Sequence, residues 1–145
     1  MKTRPYLTFD GQCKDAIDLY KKAFNTDTIE VMLFSQMPED PNYPVPENYK
    51  NRILQATLKM GDDYIRLSDC GYMPDYKLNE QETDRIAIAL EAKTVEEIKH
   101  AFNTLAEGGK VGLPLMETFY SPCAGVITDK FGVQWNMMAT NTVSS

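Results

Sequence analysis

The chain has 145 residues, 43% hydrophobic and 25% charged, with a formal net charge of −6. Those values exclude disorder, and the length suits one domain or two small, intimate modules. The acidity excludes nucleic acid and anionic membrane as main partners, because phosphate-rich surfaces repel it.

Cys13, Cys70 and Cys123 lie far apart and form no C-x-x-C pair, which excludes a zinc knuckle or dithiol motif. The opening MKTRPYLTFDG has no apolar core of the kind a signal peptide needs, and no apolar run reaches membrane length. A reducing, cytoplasmic location is expected.

Tyr6–Phe9 reads as a short strand closed by Asp10-Gly11. Ala16, Ile17, Tyr20, Ala23 and Phe24 recur at helical spacing, so Cys13–Phe24 reads as a helix that Asn25 caps. Thr28–Phe34 alternates as a strand. The stretch 36–51 then holds Pro38, Pro41, Pro44 and Pro46, half of the 8 prolines. It reads as a long loop, either a lid or contact arm or a loop that simply packs on the surface. Arg52–Lys59 and Tyr64–Ser68 form a hairpin around Gly61-Asp62.

After a connector, 71–84, the order restarts. Arg85–Glu91 reads as a strand with Ile86, Ile88 and Leu90 on one face. Thr94-Val-Glu-Glu97 is a capping box opening a helix, striped by Ile98, Ala101, Phe102, Leu105 and Ala106 and stopped by Gly108-Gly109. Lys110–Pro114 is β-favouring. Glu117–Tyr120 and Val126–Thr128 read as strands, and Asp129-Lys-Phe-Gly132 as a type I turn. Val133–Met138 alternates, with Val133, Trp135 and Met137 on an apolar face and Gln134, Asn136 and Met138 on the other.

The chain thus reads strand–helix–strand–strand–strand twice, an α+β pattern. Phe9 precedes Ile17 by the same interval that separates Leu90 from Ile98, as in a structural duplication. Two such modules would curl around a cleft with the helices outside. The expected boundaries are 1–70, with loop 36–51, for the first βαβββ module and 85–140 for the second, followed by a tail, 141–145.

The order βαβββ–βαβββ resembles that of the vicinal oxygen chelate superfamily, which includes glyoxalase I, fosfomycin- and bleomycin-resistance proteins and extradiol dioxygenases. Pro5–Gly11, Ala16–Phe24, Leu67-Ser-Asp69, Gly108–Val111, Thr118–Tyr120 and Asp129–Trp135 are similar to its PhnB-like branch. That resemblance implies a mixed, curved-sheet, glyoxalase-like fold and commonly a homodimer. The branch often carries a demethylubiquinone methyltransferase label, yet no Gly-rich loop joins a strand to a helix here.

Catalytic relatives hold a divalent ion through His, Glu or Gln on the first and fourth strands of each module. The matching positions fall near Arg4 and Arg85, near Arg66 or Ser68, and on Asn136. Where many relatives have a third-strand His, this chain has Gln55. A guanidinium repels a cation, so no metal and no cofactor is expected. The single histidine, His100, belongs to a helix expected to lie outside the cleft. Cys13 at a helix start reads as a small buried residue ahead of an activated thiol, and Asp129 as a turn former ahead of a catalyst.

The expected ligand-binding residues are Thr8, Gln55, Arg66, Ser68, Gln134 and Asn136, with aromatic walls from Phe119, Tyr120 and Tyr6. They suit a small organic anion or planar molecule. The leading expectation is a metal-free binding protein. One alternative is a metal-dependent glyoxalase, lyase or dioxygenase-type enzyme with an atypical site. Another is a ligand-free structural or regulatory homodimer.

Overall fold

The computed structural model describes residues 1–72, 78 and 85–140. The elements run β1 (Tyr6–Phe9), α1 (Cys13–Phe24), β2 (Thr28–Leu33), β3 (Ile53–Met60), β4 (Asp63–Asp69), β5 (Ile88–Ala92), α2 (Val95–Ala106), β6 (Lys110–Met116), β7 (Ala124–Thr128) and β8 (Gln134–Ala139). This is βαβββ twice. The first sheet has the order β1-β4-β3-β2 and the second β5-β8-β7-β6, so each strand of the second half stands where its counterpart stands in the first. In each sheet the pair at one edge, β1/β4 or β5/β8, is parallel and the other pairs are antiparallel. The fold is α+β with two open mixed sheets, as the doubled pattern predicts.

The chain divides into two compact units. One contains the first sheet and most of α1. The other contains the second sheet, α2 and the last turn of α1, Lys22–Phe24. The expected connector and tail lie outside the described residues, apart from Gly71, Tyr72 and Leu78.

In the first unit, Gln12 gives α1 no side-chain cap. Asp69, at the end of β4, does that work from a distance. Its Oδ1 accepts the Cys13 N–H at 3.0 Å, and its Oδ2 accepts the Ile53 N–H at 3.0 Å. A carboxylate at a helix N-terminus satisfies an orphan donor and complements the helix dipole. The far end closes as expected: Asn25 adopts the left-handed conformation, φ 50°, and its N–H bonds to the Lys21 carbonyl.

In the second unit, α2 packs across all four strands. Its capping threonine accepts the Glu97 N–H at 3.2 Å. Ile98, Ala101, Phe102 and Leu105 are buried. Gly125 lets the helix sit close to the sheet: a Cβ there would stand 3.1 Å from the Phe102 ring and 2.9 Å from the Leu113 carbonyl oxygen. The Phe24 ring lies 5.0 Å from that of Trp135, and His100 Nε2–H donates to the Lys22 carbonyl at 2.9 Å. His100 is thus an exposed helix residue, as expected, with a partner in the backbone.

Three boundaries differ from the sequence reading. The fifth strand begins at Ile88, so Ile86 is exposed and Arg85 precedes the strand. Arg4 likewise precedes β1. Glu117–Tyr120 is a turn rather than a strand. The Thr118 hydroxyl accepts the N–H of Tyr120 and of Ser121, and the Thr118 N–H donates to the Ser121 carbonyl. Hydroxyl-to-backbone bonds of this kind compete with strand pairing and win here. Among the described residues no helix is long and apolar enough to cross a membrane.

Candidate functional site

Strand register decides which side chains share a face, because directly paired residues point to the same side. On the first sheet Arg66 of β4 pairs with Tyr6 of β1 and Thr57 of β3, and Ser68 pairs with Thr8. Gln55, two residues before Thr57, falls on the same face and pairs with Met32. The result is a grid of two rows across three strands: Tyr6–Arg66–Thr57 and Thr8–Ser68–Gln55. At ordinary strand spacing it covers roughly 10 Å by 7 Å. All four residues expected from the first half, Thr8, Gln55, Arg66 and Ser68, lie in it. Sequence reading missed Thr57, although alternation from Gln55 along the same strand puts it on this face.

The grid is polar and positively charged at its centre. The Tyr6 hydroxyl donates to Ser68 Oγ at 3.0 Å, and Ser68 and Thr57 are buried. Arg66 is half-buried, and among the described residues no carboxylate pairs with it. Its guanidinium carbon stands 5.8 Å from the Tyr64 ring centroid, and that of Arg4 stands 4.6 Å away. Hydrogen bonds from Arg4 first and Arg66 second hold the Tyr64 phenol below its ordinary range. Arg4 itself is paired with Asp63 at 3.3 Å. Among the described residues Arg66 is thus the cation of this face that no carboxylate neutralises.

On the second sheet Asn136 pairs with Ala89 and Val126, and Met138 with Glu91 and Ala124. Gln134 pairs with Thr128, and its Oε1 is buried with no hydrogen-bond partner. This face is more apolar, with an exposed Asn136 and one unmet acceptor. Phe119 and Tyr120 lie on the turn after β6, their rings 5.1 Å apart. Phe119 is 101% exposed, so it forms no wall within its own unit.

Among the described residues, the positions that match the metal ligands of catalytic relatives offer few donors. With the boundaries corrected, the first- and fourth-strand positions are Tyr6, Thr8, Arg66 and Ser68 on one sheet and Ala89, Glu91, Asn136 and Met138 on the other. These offer one carboxylate and no imidazole. Among the described residues no three of His, Cys, Asp or Glu gather closely enough to hold an ion. Such a set does not replace the water around a divalent cation.

Cys13, Asp129 and Arg52 serve the structure. Burial, with help from the Asp69 carboxylate, pushes the Cys13 thiol far up, so the helix dipole does not activate it. Asp129 is buried. Its Oδ1 accepts the N–H of Phe131 and Val133, and its Oδ2 accepts the Trp135 indole N–H. Arg52, unremarked in the sequence, is a clamp. It bonds Asp10 at 2.7 Å and the Cys70 carbonyl at 3.1 Å, and it lies 4.1 Å from the Tyr49 ring centroid. Its partners are up to 42 residues away, so no local signal marks it.

Comparison with known proteins agrees with the fold. The family model described as 3-demethylubiquinone-9 3-methyltransferase matches residues 1–138. Protein YjdN of Escherichia coli (strain K12) is 32% identical over 141 residues, covering 93% of this chain and 92% of that one. The structure of PA1353 from Pseudomonas aeruginosa is 30% identical, with a TM-score of 0.79 over 97% of this chain and 98% of the other. A PhnB protein from Bacillus cereus superposes with a TM-score of 0.71 at 21% identity, over 96% and 99% of the two chains. FosX, a fosfomycin resistance protein from Listeria monocytogenes, does so at 0.62 and 12%, over 98% and 94%; these last two are likenesses of fold alone.

Proposed function

This chain belongs to the family described as 3-demethylubiquinone-9 3-methyltransferase, the PhnB-like branch of the vicinal oxygen chelate superfamily; from that premise we propose that it is a metal-independent binding protein for a small organic anion. One observation carries the reading: Arg66, half-buried and without a carboxylate partner among the described residues, sits at the centre of the grid. A guanidinium offers a planar fork of donors, and the flanking Tyr6, Thr8, Ser68 and Gln55 add hydroxyl and amide contacts. Asn136 and Gln134, in the other unit, offer only neutral amides, so the anion site is proposed on the first sheet alone. The methyltransferase description finds no cofactor-holding turn here, since α1 follows β1 through Asp10-Gly11-Gln12. Sequestration of a compound is the role that such an anion site would serve without a metal. The proposal includes a cytoplasmic location, in keeping with three free thiols.

Calorimetric titration with benzoate and phenylphosphonate tests it. Binding should survive EDTA and weaken about 10- to 100-fold in Arg66→Gln, the range for losing a charged hydrogen bond. Binding that needs added zinc, nickel or manganese, or that ignores Arg66→Gln, overturns it.

A second reading, a homodimer, rests on a separate surface. Val111, Leu113 and Met116 on edge strand β6, together with Phe119, are exposed large apolar groups within nine residues of chain. Pro114 lies within that strand and lacks the N–H that edge-to-edge pairing uses. The pairing proposed is therefore through side chains, with a second copy. Sedimentation should give a dimer at micromolar concentration that Phe119→Ser weakens; a monomer sinks the idea.

A further inference from the structure

The long proline-rich excursion is not a featureless surface loop. Its ends are zipped together: the Phe34 N–H bonds to the Arg52 carbonyl at 3.0 Å, and the Ser35 N–H bonds to the Lys50 carbonyl at 3.0 Å. Leu33 N–H is taken by the Gln36 side chain at 2.7 Å. One-turn helices, Phe34–Gln36 and Glu47–Tyr49, stand at the two ends. A compact excursion with closed ends is an Ω-loop, a form often used for binding.

This loop forms the walls of a half-open pocket of about 380 Å³, within the size range of small-molecule sites. Phe34, Met37, Val45 and three prolines, Pro38, Pro41 and Pro44, supply apolar walls. Each proline ring fixes its own φ, so these walls lose little freedom when a ligand arrives. Tyr43 also lines the pocket but is 74% exposed, which puts its ring at the mouth.

The charge at the rim is specific. Glu39 and Asp40 line the pocket, and among the described residues neither is in an ion pair. One oxygen of Asp40 is used by the Asn42 N–H. The lining cation, Lys50, pairs with Glu47 at 2.9 Å and also feels the Glu39 carboxylate, so the lining keeps a net negative charge. The complement of such a pocket is an apolar body carrying one positive charge, with the Tyr43 ring face available to the cation.

We propose that the Ω-loop pocket is a second binding site, separate from the Arg66 grid, for an apolar organic cation such as an arylalkyl ammonium. The pocket and the grid carry opposite charge and share no residue, so one can fail while the other stands.

The test uses two isosteres, 4-phenylbutylammonium and 4-phenylbutyrate, with the full chain labelled at its methionine methyl groups. Met37 is the only methionine among the pocket's lining residues. Its methyl resonance should move with the ammonium probe and stay put with the carboxylate. The double variant Glu39→Gln with Asp40→Asn should bind the ammonium about fivefold more weakly, as expected for two exposed charge contacts. A Met37 signal that ignores the ammonium at millimolar concentration, equal response to both isosteres, or full affinity in the double variant each overturns the proposal. Failure of the carboxylate to bind anywhere would count against the Arg66 reading alone.

Discussion

The indole N–H of Trp135 ends on Oδ2 of Asp129, 2.9 Å away and six residues back along the chain. The other oxygen of the same carboxylate closes the β7–β8 turn through the amides of Phe131 and Val133. One buried side chain therefore fixes both a turn and the orientation of the largest core residue. Asp129→Ala would strand three donors and should cost about 3 kcal/mol or more. Asp129→Asn keeps a single acceptor oxygen, so either the indole or the turn loses its partner, at smaller cost. Urea unfolding followed through the single tryptophan measures both. Equal stability of wild type and Asp129→Ala would refute the account.

The Arg52 clamp carries a pH signature. Hydrogen bonds from Arg52 first and Cys70 second hold the Asp10 carboxyl below its ordinary range. A depressed folded-state pKa means the folded chain binds that proton less readily than the unfolded chain. The contribution is complete above the unfolded carboxylate pKa, about 4, and is lost as pH falls through the folded value. The pair is partly exposed, so its size is under about 1 kcal/mol. Asp10→Asn should lower the urea midpoint at pH 7 and have a smaller effect at pH 3. An identical difference at both pH values contradicts the assignment.

The three thiols should differ in reactivity by access more than by acidity. Burial first, and a bond to Asp10 second, push the Cys70 thiol up. Burial likewise raises Cys13 and Cys123. All three are poor nucleophiles at neutral pH, but only Cys70 is part-exposed. Iodoacetamide at pH 8, followed by mass spectrometry, should label Cys70 first and slowly. Cys13 and Cys123 should react only once denaturant is added. Early labelling of Cys13 would show that its helix end opens.

Asn25 is the one non-glycine residue with positive φ among those described. Asparagine tolerates this conformation at some cost, and alanine tolerates it worse. Asn25→Ala should destabilise by about 1 kcal/mol, and Asn25→Gly should be neutral or slightly stabilising. Thermal melts of the two variants decide. The opposite order would mean that the side chain, not the backbone, matters there.

Much of this fold was legible because the signals were local. Helix caps at Asn25 and Thr94, the hairpin at Gly61-Asp62 and the alternation through Trp135 each lie within a few residues of what they control. The errors arose where a distant or competing partner decides. Glu117–Tyr120 is rich in β-formers, but the Thr118 hydroxyl takes backbone donors that a strand would need. Ile86 looked like a core position, yet pairing with β8 starts only at Ile88. Of the site, Thr8, Gln55, Arg66 and Ser68 were readable from alternation. Their arrangement as a grid was not, since register between β1 and β4 joins residues about 60 apart. The Asp69 cap and the Arg52 clamp were invisible for the same reason.

The zipped stem of the Ω-loop has a consequence for how this lineage can change. Because Ser35 and Lys50 already meet, everything between them is a cassette hanging from a finished hairpin. Such a segment can be shortened, lengthened or exchanged with small entropic penalty and no disturbance to the ladder beneath. Relatives that share the sheets can therefore differ at this tip, and a grafted peptide would have a ready-made place to sit.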